Sequence, residues 1–186
     1  MSQKIVFMGT PEFSVPALES LVNSNHKVLA VYSQPANKAN RGQKIIPSSI
    51  ETFAKEKSLN LRTPENLDDD EEYNFLKKLE PDIVVVIAYG KIIPKRFLNL
   101  AKHGFINVHA SLLPKWRGAA PIQRSIMNLD NQTGISIMKI VEELDAGPVM
   151  HQDKIQINET IDTLTLSKVL SKLGANSILN AINKIE

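Results

Sequence analysis

The sequence predicts an α/β domain with a mostly parallel central sheet, on three observations. Short apolar, β-branched runs at Lys4 to Gly9, Lys27 to Tyr32 and Asp82 to Ala88 read as buried strands. Stretches between them, Val15 to Leu21 first, carry apolar residues at helical spacing. The order strand, helix, strand then demands a right-handed parallel crossover.

Taken in order, the first strand closes on Gly9, and Thr10-Pro11-Glu12-Phe13 turns the chain into the helix from Val15 to Leu21. One glycine stands where a dinucleotide fold carries G-x-G-x-x-G, which argues against NAD. After the strand from Lys27 to Tyr32, a polar connection runs from Ser33 to Ser49, longer than most loops in compact domains. Lys38, Arg41 and Lys44 make it basic. It is either a solvated loop or an arm that reaches for phosphate. A helix over Ser49 to Lys57 and a short strand over Leu59 to Arg62 follow. Asp68 to Glu72 form an acidic helix start, where the helix dipole favours negative charge; the helix continues to Leu79, and Pro81 stops it.

Asp82 to Ala88 is apolar enough to be covered on both faces, and Tyr89-Gly90 ends it. Pro94 to Leu100 reads as a short helix, and Gly104 leads into a strand from Phe105 to Val108. Pro121 suits the first turn of a helix to Met127. Strands at Gly134 to Val141 and Val149 to Ile157 flank a tight loop, Glu142 to Pro148. Thr163 to Ile185 is a final helix with Leu164, Leu166, Val169, Leu170, Leu173, Ile178 and Ile182 on its inner side.

With 186 residues, 42% of them hydrophobic, the chain suits one domain with a proper core. A net charge of +2 neither demands nor excludes a nucleic-acid partner. The lack of cysteine removes disulfides, thiolate nucleophiles and cysteine-ligated zinc, and fits a reducing compartment. The longest strongly apolar run, Ile83 to Ala88, is far short of the roughly 20 residues that cross a bilayer. Lys4 leads straight into a strand, which leaves no room for a signal peptide. The expectation is a cytoplasmic protein without a membrane partner, and a monomer.

The residues that could do chemistry gather at the end of one strand. Asn107 and His109 alternate onto one face there, just before a loop rich in Gly and Pro. That edge of a parallel sheet is where ligands bind. A carboxamide donor beside an imidazole suits a reaction in which charge grows on an oxygen and a proton moves. Asp145 could accept a hydrogen bond from His109, or serve only as a turn former before Gly147. Of the other histidines, His26 and His103 read as surface residues, and His151 has no obvious acidic partner. No H-E-x-x-H motif and no G-x-S-x-G elbow is present, so neither metal catalysis nor a serine hydrolase is expected.

Several segments together resemble the methionyl-tRNA formyltransferase family: Gly9-Thr-Pro-Glu-Phe13, the Gln34-Pro35 and Arg41-Gly42 loop, Asn107-Val-His109 through Trp116-Arg-Gly-Ala-Ala-Pro-Ile-Gln123, and Leu144-Asp-Ala-Gly147. The resemblance implies a Rossmann-like three-layer sandwich. It implies transfer of a formyl group from 10-formyltetrahydrofolate to initiator methionyl-tRNA for translation initiation, without a metal. Asn107, His109 and Asp145 would be the catalytic triad. Ser111, Leu112, Leu113 and Pro114 would line the folate site, with the pteridine near Ala88, Tyr89, Gly90 and the Asp145 loop. The basic loop at Lys38, Arg41 and Lys44 would meet the tRNA. Members of the family carry a further C-terminal β-barrel that helps grip tRNA, so residues 1–186 are expected to be the catalytic domain alone. Alternatives are a formyltransferase for a sugar-nucleotide or ribonucleotide amine, a formyltetrahydrofolate hydrolase, or a binding module with a degenerate site.

Overall fold

Alternating burial along the strands sets the layering of the chain. The computed structural model describes residues 2–39, 44–158 and 160–185. Its elements are β1 (Lys4–Gly9), α1 (Val15–Val22), β2 (Lys27–Tyr32), β3 (Asn37–Ala39), β4 (Lys44–Ile46), α2 (Ser49–Glu56) and β5 (Leu61–Arg62), then α3 (Asp70–Leu79), β6 (Ile83–Ile87), β7 (Phe105–His109), α4 (Pro121–Met127), β8 (Gln132–Lys139), β9 (Val149–Gln156) and α5 (Thr163–Asn183). Seven strands form one sheet in the order β5-β2-β1-β6-β7-β8-β9. It is parallel from β5 to β7 and antiparallel at β8 and β9.

The two faces are covered unequally. On one, Ile5, Phe7, Val85, Ile106 and Ile137 pack against Leu18 of α1, Ile50 of α2 and Leu170 and Ile178 of α5. On the other, Val6, Met8, Val84 and Phe105 pack against Leu76 of α3 and against Phe97. Burial of each such side chain contributes roughly 1.5–3 kcal/mol. Farther along that second face, Val86, Asn107 and Met138 stand side by side in register and line a cleft.

Several expectations are corrected. The stretch between Ser33 and Ser49 contains a two-stranded antiparallel ribbon, with Lys38 opposite Ile45 and Ala39 opposite Lys44. Arg41 lies outside the described residues. Pro94 to Leu100 holds only a single 3-10 turn, Lys95–Phe97. Leu164 and Val169 face outward on α5, 64% and 42% exposed. The true inner stripe runs through Leu166, Leu170, Gly174, Ala175, Ile178 and Ile182. Small residues in its middle let the helix close on the sheet, and a Cβ at Gly174 would come within 3.0 Å of Val108 Cγ1. His26 is buried, accepting the Gln3 N–H on Nδ1 at 3.2 Å, and His103 is half-buried. His151 does have an acidic partner, Asp153, at 2.9 Å, the next residue but one on the same strand face.

Candidate active site

β7 is hydrogen-bonded on both sides, to β6 and to β8. Asn107 is paired on both sides, to Val86 and Met138, and His109 on one, to Ser136. The His109 ring is nearly enclosed and both nitrogens are engaged. Nε2 lies 3.0 Å from the Trp116 carbonyl oxygen, which can only accept, so the proton there belongs to the ring. Nδ1 lies 3.5 Å from Asp145 Oδ2, with both side chains about nine-tenths buried.

Asp145 reaches the ring by a fold-back. Lys139, the last residue of β8, pairs with Ile106, so the β8–β9 connection begins three positions short of His109. The loop returns over the face that Asn107 and His109 share. Gly147 makes the tight base of this hairpin possible, since a Cβ there would lie 1.9 Å from the Lys139 carbonyl oxygen. Asp145 itself has φ 48°, a left-handed conformation that Asp tolerates better than most residues. Its Oδ2 also accepts the Gly118 N–H at 2.8 Å.

The loop after β7 turns sharply through three left-handed residues, Trp116, Gly118 and Ala120. Its far side is fixed by Asp130, whose Oδ2 accepts the Trp116 indole N–H and whose Oδ1 accepts from Lys115 and Asn128. Against the upward push of burial, these donors hold the Asp130 carboxyl below the usual carboxylate range.

The opposite wall follows β6. Ala88 and Gly90 are left-handed, with φ 46° and 81°. Between them the Tyr89 carbonyl accepts from Thr10 Oγ1 at 2.8 Å and Gln34 Nε2 at 3.0 Å. Lys91 Nζ is spent on the carbonyls of Pro64 and Glu65. Burial pushes the Tyr89 hydroxyl well above the usual phenol range.

The two walls enclose a cleft of about 680 Å³. Ala88, Tyr89, Gly90, Asn107, His109 and Asp145 all border it. Ser111, Leu112, Leu113 and Pro114 are not on its wall. Ser111 is fully buried, and this segment is stitched to β8 instead: Leu113 N–H donates to Ser136 Oγ, which donates to the Ser111 carbonyl. Lys38 and Lys44 lie on the ribbon strands β3 and β4. Sequence reasoning missed Phe13, Ile92, Val141 and Leu144 as cleft-lining residues, and the backbone groups of Trp116 and Gly118. The exposed apolar side chains of Ile92 (87%) and Leu144 (70%) had a signal: Ile92 comes two residues after Gly90, and Leu144 stands between Glu143 and Asp145. Among the described residues no helix is long and apolar enough to cross a membrane, and no three His, Cys, Asp or Glu side chains cluster as metal ligands.

A carboxamide, an imidazole and a carboxylate on an apolar cleft can together steady a developing oxyanion and move a proton. A protein named methionyl-tRNA formyltransferase from Pelagibacter ubique is 55% identical over 186 residues, all of this chain and 60% of that protein. One of the same name from Coxiella burnetii is 46% identical, over all of this chain and 59% of its own length. The chain thus spans about 60% of the curated relatives it matches. Among solved structures, phosphoribosylglycinamide formyltransferase from Brucella melitensis superposes with a TM-score of 0.80 at 19% identity, covering 99% of this chain and 95% of that one. A formyltetrahydrofolate deformylase from Pseudomonas syringae gives 0.78 at 19% identity, covering 98% of this chain and 60% of the other. At that identity the likeness speaks for the fold. The family model described as formyl transferase matches residues 3–182, and with it the cleft, its loops and the sheet beneath them identify the chain as a member of the formyl transferase family.

Proposed function

We propose that the chain is a catalytic domain that moves a formyl group from 10-formyltetrahydrofolate to the α-amine of initiator methionyl-tRNA. The observation that carries this is the meeting of Asn107, His109 and Asp145, separated by up to 38 positions, on one cleft with His109 Nδ1 and Asp145 Oδ2 3.5 Å apart. A cleft of about 680 Å³ with largely apolar walls suits a flat heteroaromatic co-substrate. Ala88 to Gly90 and the Asp145 loop would hold it.

In this reading the amine attacks the formyl carbon, a carbon–nitrogen bond forms, and the bond to N10 of the folate breaks. Asn107 donates a hydrogen bond to the oxygen that becomes negative in the tetrahedral intermediate, and His109, whose Nε2–H is taken by the Trp116 carbonyl, donates to it from a protonated Nδ1, each contact worth roughly 3 kcal/mol of barrier. Asp145 accepts the proton shed by the attacking nitrogen and returns it to the departing N10, directly or through water. The ribbon at Lys38 and Lys44, with Arg41 between them in sequence, is the arm that meets tRNA phosphates. Binding through it weakens steeply as salt rises.

The test mixes the protein with 10-formyltetrahydrofolate and methionyl-tRNA and measures formyl-methionine, with a sugar-nucleotide amine and a ribonucleotide amine as competing acceptors. Formyl-methionine as the preferred product supports the reading. Preference for either small amine overturns it.

A further inference from the structure

We propose that Asp130, a residue outside the cleft, is a positioning residue that sets the geometry of His109 and Asp145 through Trp116. This rests on the reaction proposed above. Asp130 follows α4 and its side chain is only 5% exposed. Three donors converge on it: the Trp116 indole at 2.7 Å, Lys115 Nζ at 2.7 Å and Asn128 Nδ2 at 2.6 Å. Two of these come from the loop after β7.

What that loop offers the cleft is backbone. The carbonyl of Trp116 orients the His109 ring, and the N–H of Gly118 holds Asp145. Trp116 and Gly118 are both left-handed, φ 60° and 82°, so this segment sits away from the broad minima of the backbone. For a non-glycine residue such a conformation persists only when its surroundings over-determine it. Upstream, the Lys115 carbonyl accepts from Ser111 Oγ and the Lys115 N–H donates to the Leu112 carbonyl; at Trp116 itself the tie is the indole, bound to Asp130. The chain of contacts is therefore Asp130 to the Trp116 side chain, Trp116 carbonyl to His109, and Gly118 N–H to Asp145. Without the buried carboxylate, the indole N–H and the Lys115 ammonium lose their shared acceptor, and the peptide that aims the imidazole is restrained only from its Lys115 side.

The experiment combines Asp130→Ala, Asp130→Asn, Trp116→Phe and the Asp130→Ala/Trp116→Phe pair, each checked for a native melt. Asp130→Asn keeps the side chain's volume should the alanine variant fold poorly. Two readouts are taken: formylation kinetics and the ring ¹⁵N resonances of His109. The expected result is a kcat lower by roughly tenfold to a hundredfold in Asp130→Ala, as for small misplacements of reacting groups, with KM for the folate within about twofold. The His109 Nε2 resonance moves in the Asp130 variants, and the double variant loses little more than either single one, as residues acting through one another do. Unmoved His109 resonances in a folded Asp130 variant overturn the proposal, as does a multiplicative loss in the double variant. If the wild-type protein leaves methionyl-tRNA unformylated, the reaction reading fails, and the nitrogen resonances still decide the role of Asp130.

Discussion

The two loops that face each other across the cleft follow adjacent parallel strands, yet they are built in opposite senses. The segment after β6, Ala88 to Ile93, is held from outside: Thr10 and Gln34 seize its Tyr89 carbonyl. The segment after β7 does the holding, since its own carbonyl and N–H at Trp116 and Gly118 position side chains from elsewhere. A wall that is held can offer shape and apolar surface. A wall that holds can set angles on reacting groups. Substitutions in the first should therefore act on stability and co-substrate affinity, and those in the second on turnover.

The sharpest way to break this distinction is at the carboxylate the second loop holds. Asp145→Asn keeps an acceptor for the Gly118 N–H but removes the proposed proton carrier, so turnover should fall roughly a thousandfold with an unchanged melt. Near-normal rates would strip Asp145 of its role. Asn107→Ala, on the strand between the loops, should lower kcat by about a hundredfold or more, read from initial formylation rates beside a thermal unfolding curve.

A matched pair of glycines tests the contrast more finely. Gly90 and Gly118 have nearly the same φ, 81° and 82°. A Cβ at Gly90 would lie 2.1 Å from Gln34 Nε2, whereas at Gly118 nothing lies closer than Leu144 Cδ2 at 4.0 Å. Gly118→Ala should cost about 1 kcal/mol from backbone strain alone. Gly90→Ala should cost about 1–3 kcal/mol, because it also displaces the Gln34 amide. The loss of kcat should rank the other way. Equal ranking in both measurements would mean that the walls do not differ in kind.

The smallest effect concerns acid. Asp130 in the fold sits below the usual carboxylate range, so its contribution to stability is full above that range and fades as pH falls through the lower folded value. The stability gap between wild type and Asp130→Asn should stay constant from neutral pH down to the ordinary carboxylate range and close only below it, as read by chemical unfolding at each pH.

Much of this was legible in the sequence because it is local. Apolar runs marked the strands, and period-two alternation put Asn107 and His109 on one side. Gly90, Gly118 and Gly147 stood where the backbone needed them. What was not legible is non-local. Nothing in the order of residues says that β8 turns antiparallel, so the path of Asp145 back over the sheet had to come from the register. Ser111 to Pro114 sit next to His109 in sequence but are drawn to β8 by Ser136, which only the tertiary fold supplies. Leu164 and Val169 match helical spacing yet lie outside the narrow stripe that α5 buries. The ribbon of β3 and β4 escaped because its polar sequence lacks the alternation that signals a strand.

The double pairing of β7 also bears on how such a scaffold diversifies. Two of the groups that would touch the reacting carbon ride on a strand held between neighbours, while the ribbon that would recognise the acceptor is a separate connection between β2 and α2. Exchanging that ribbon changes the acceptor contact while the loops that hold His109 and Asp145 stay in place. A chimera that keeps Phe105–His109, the loop through Gly118 and the hairpin bearing Asp145, and receives a foreign ribbon between β2 and α2, is the natural starting point for testing a new acceptor amine.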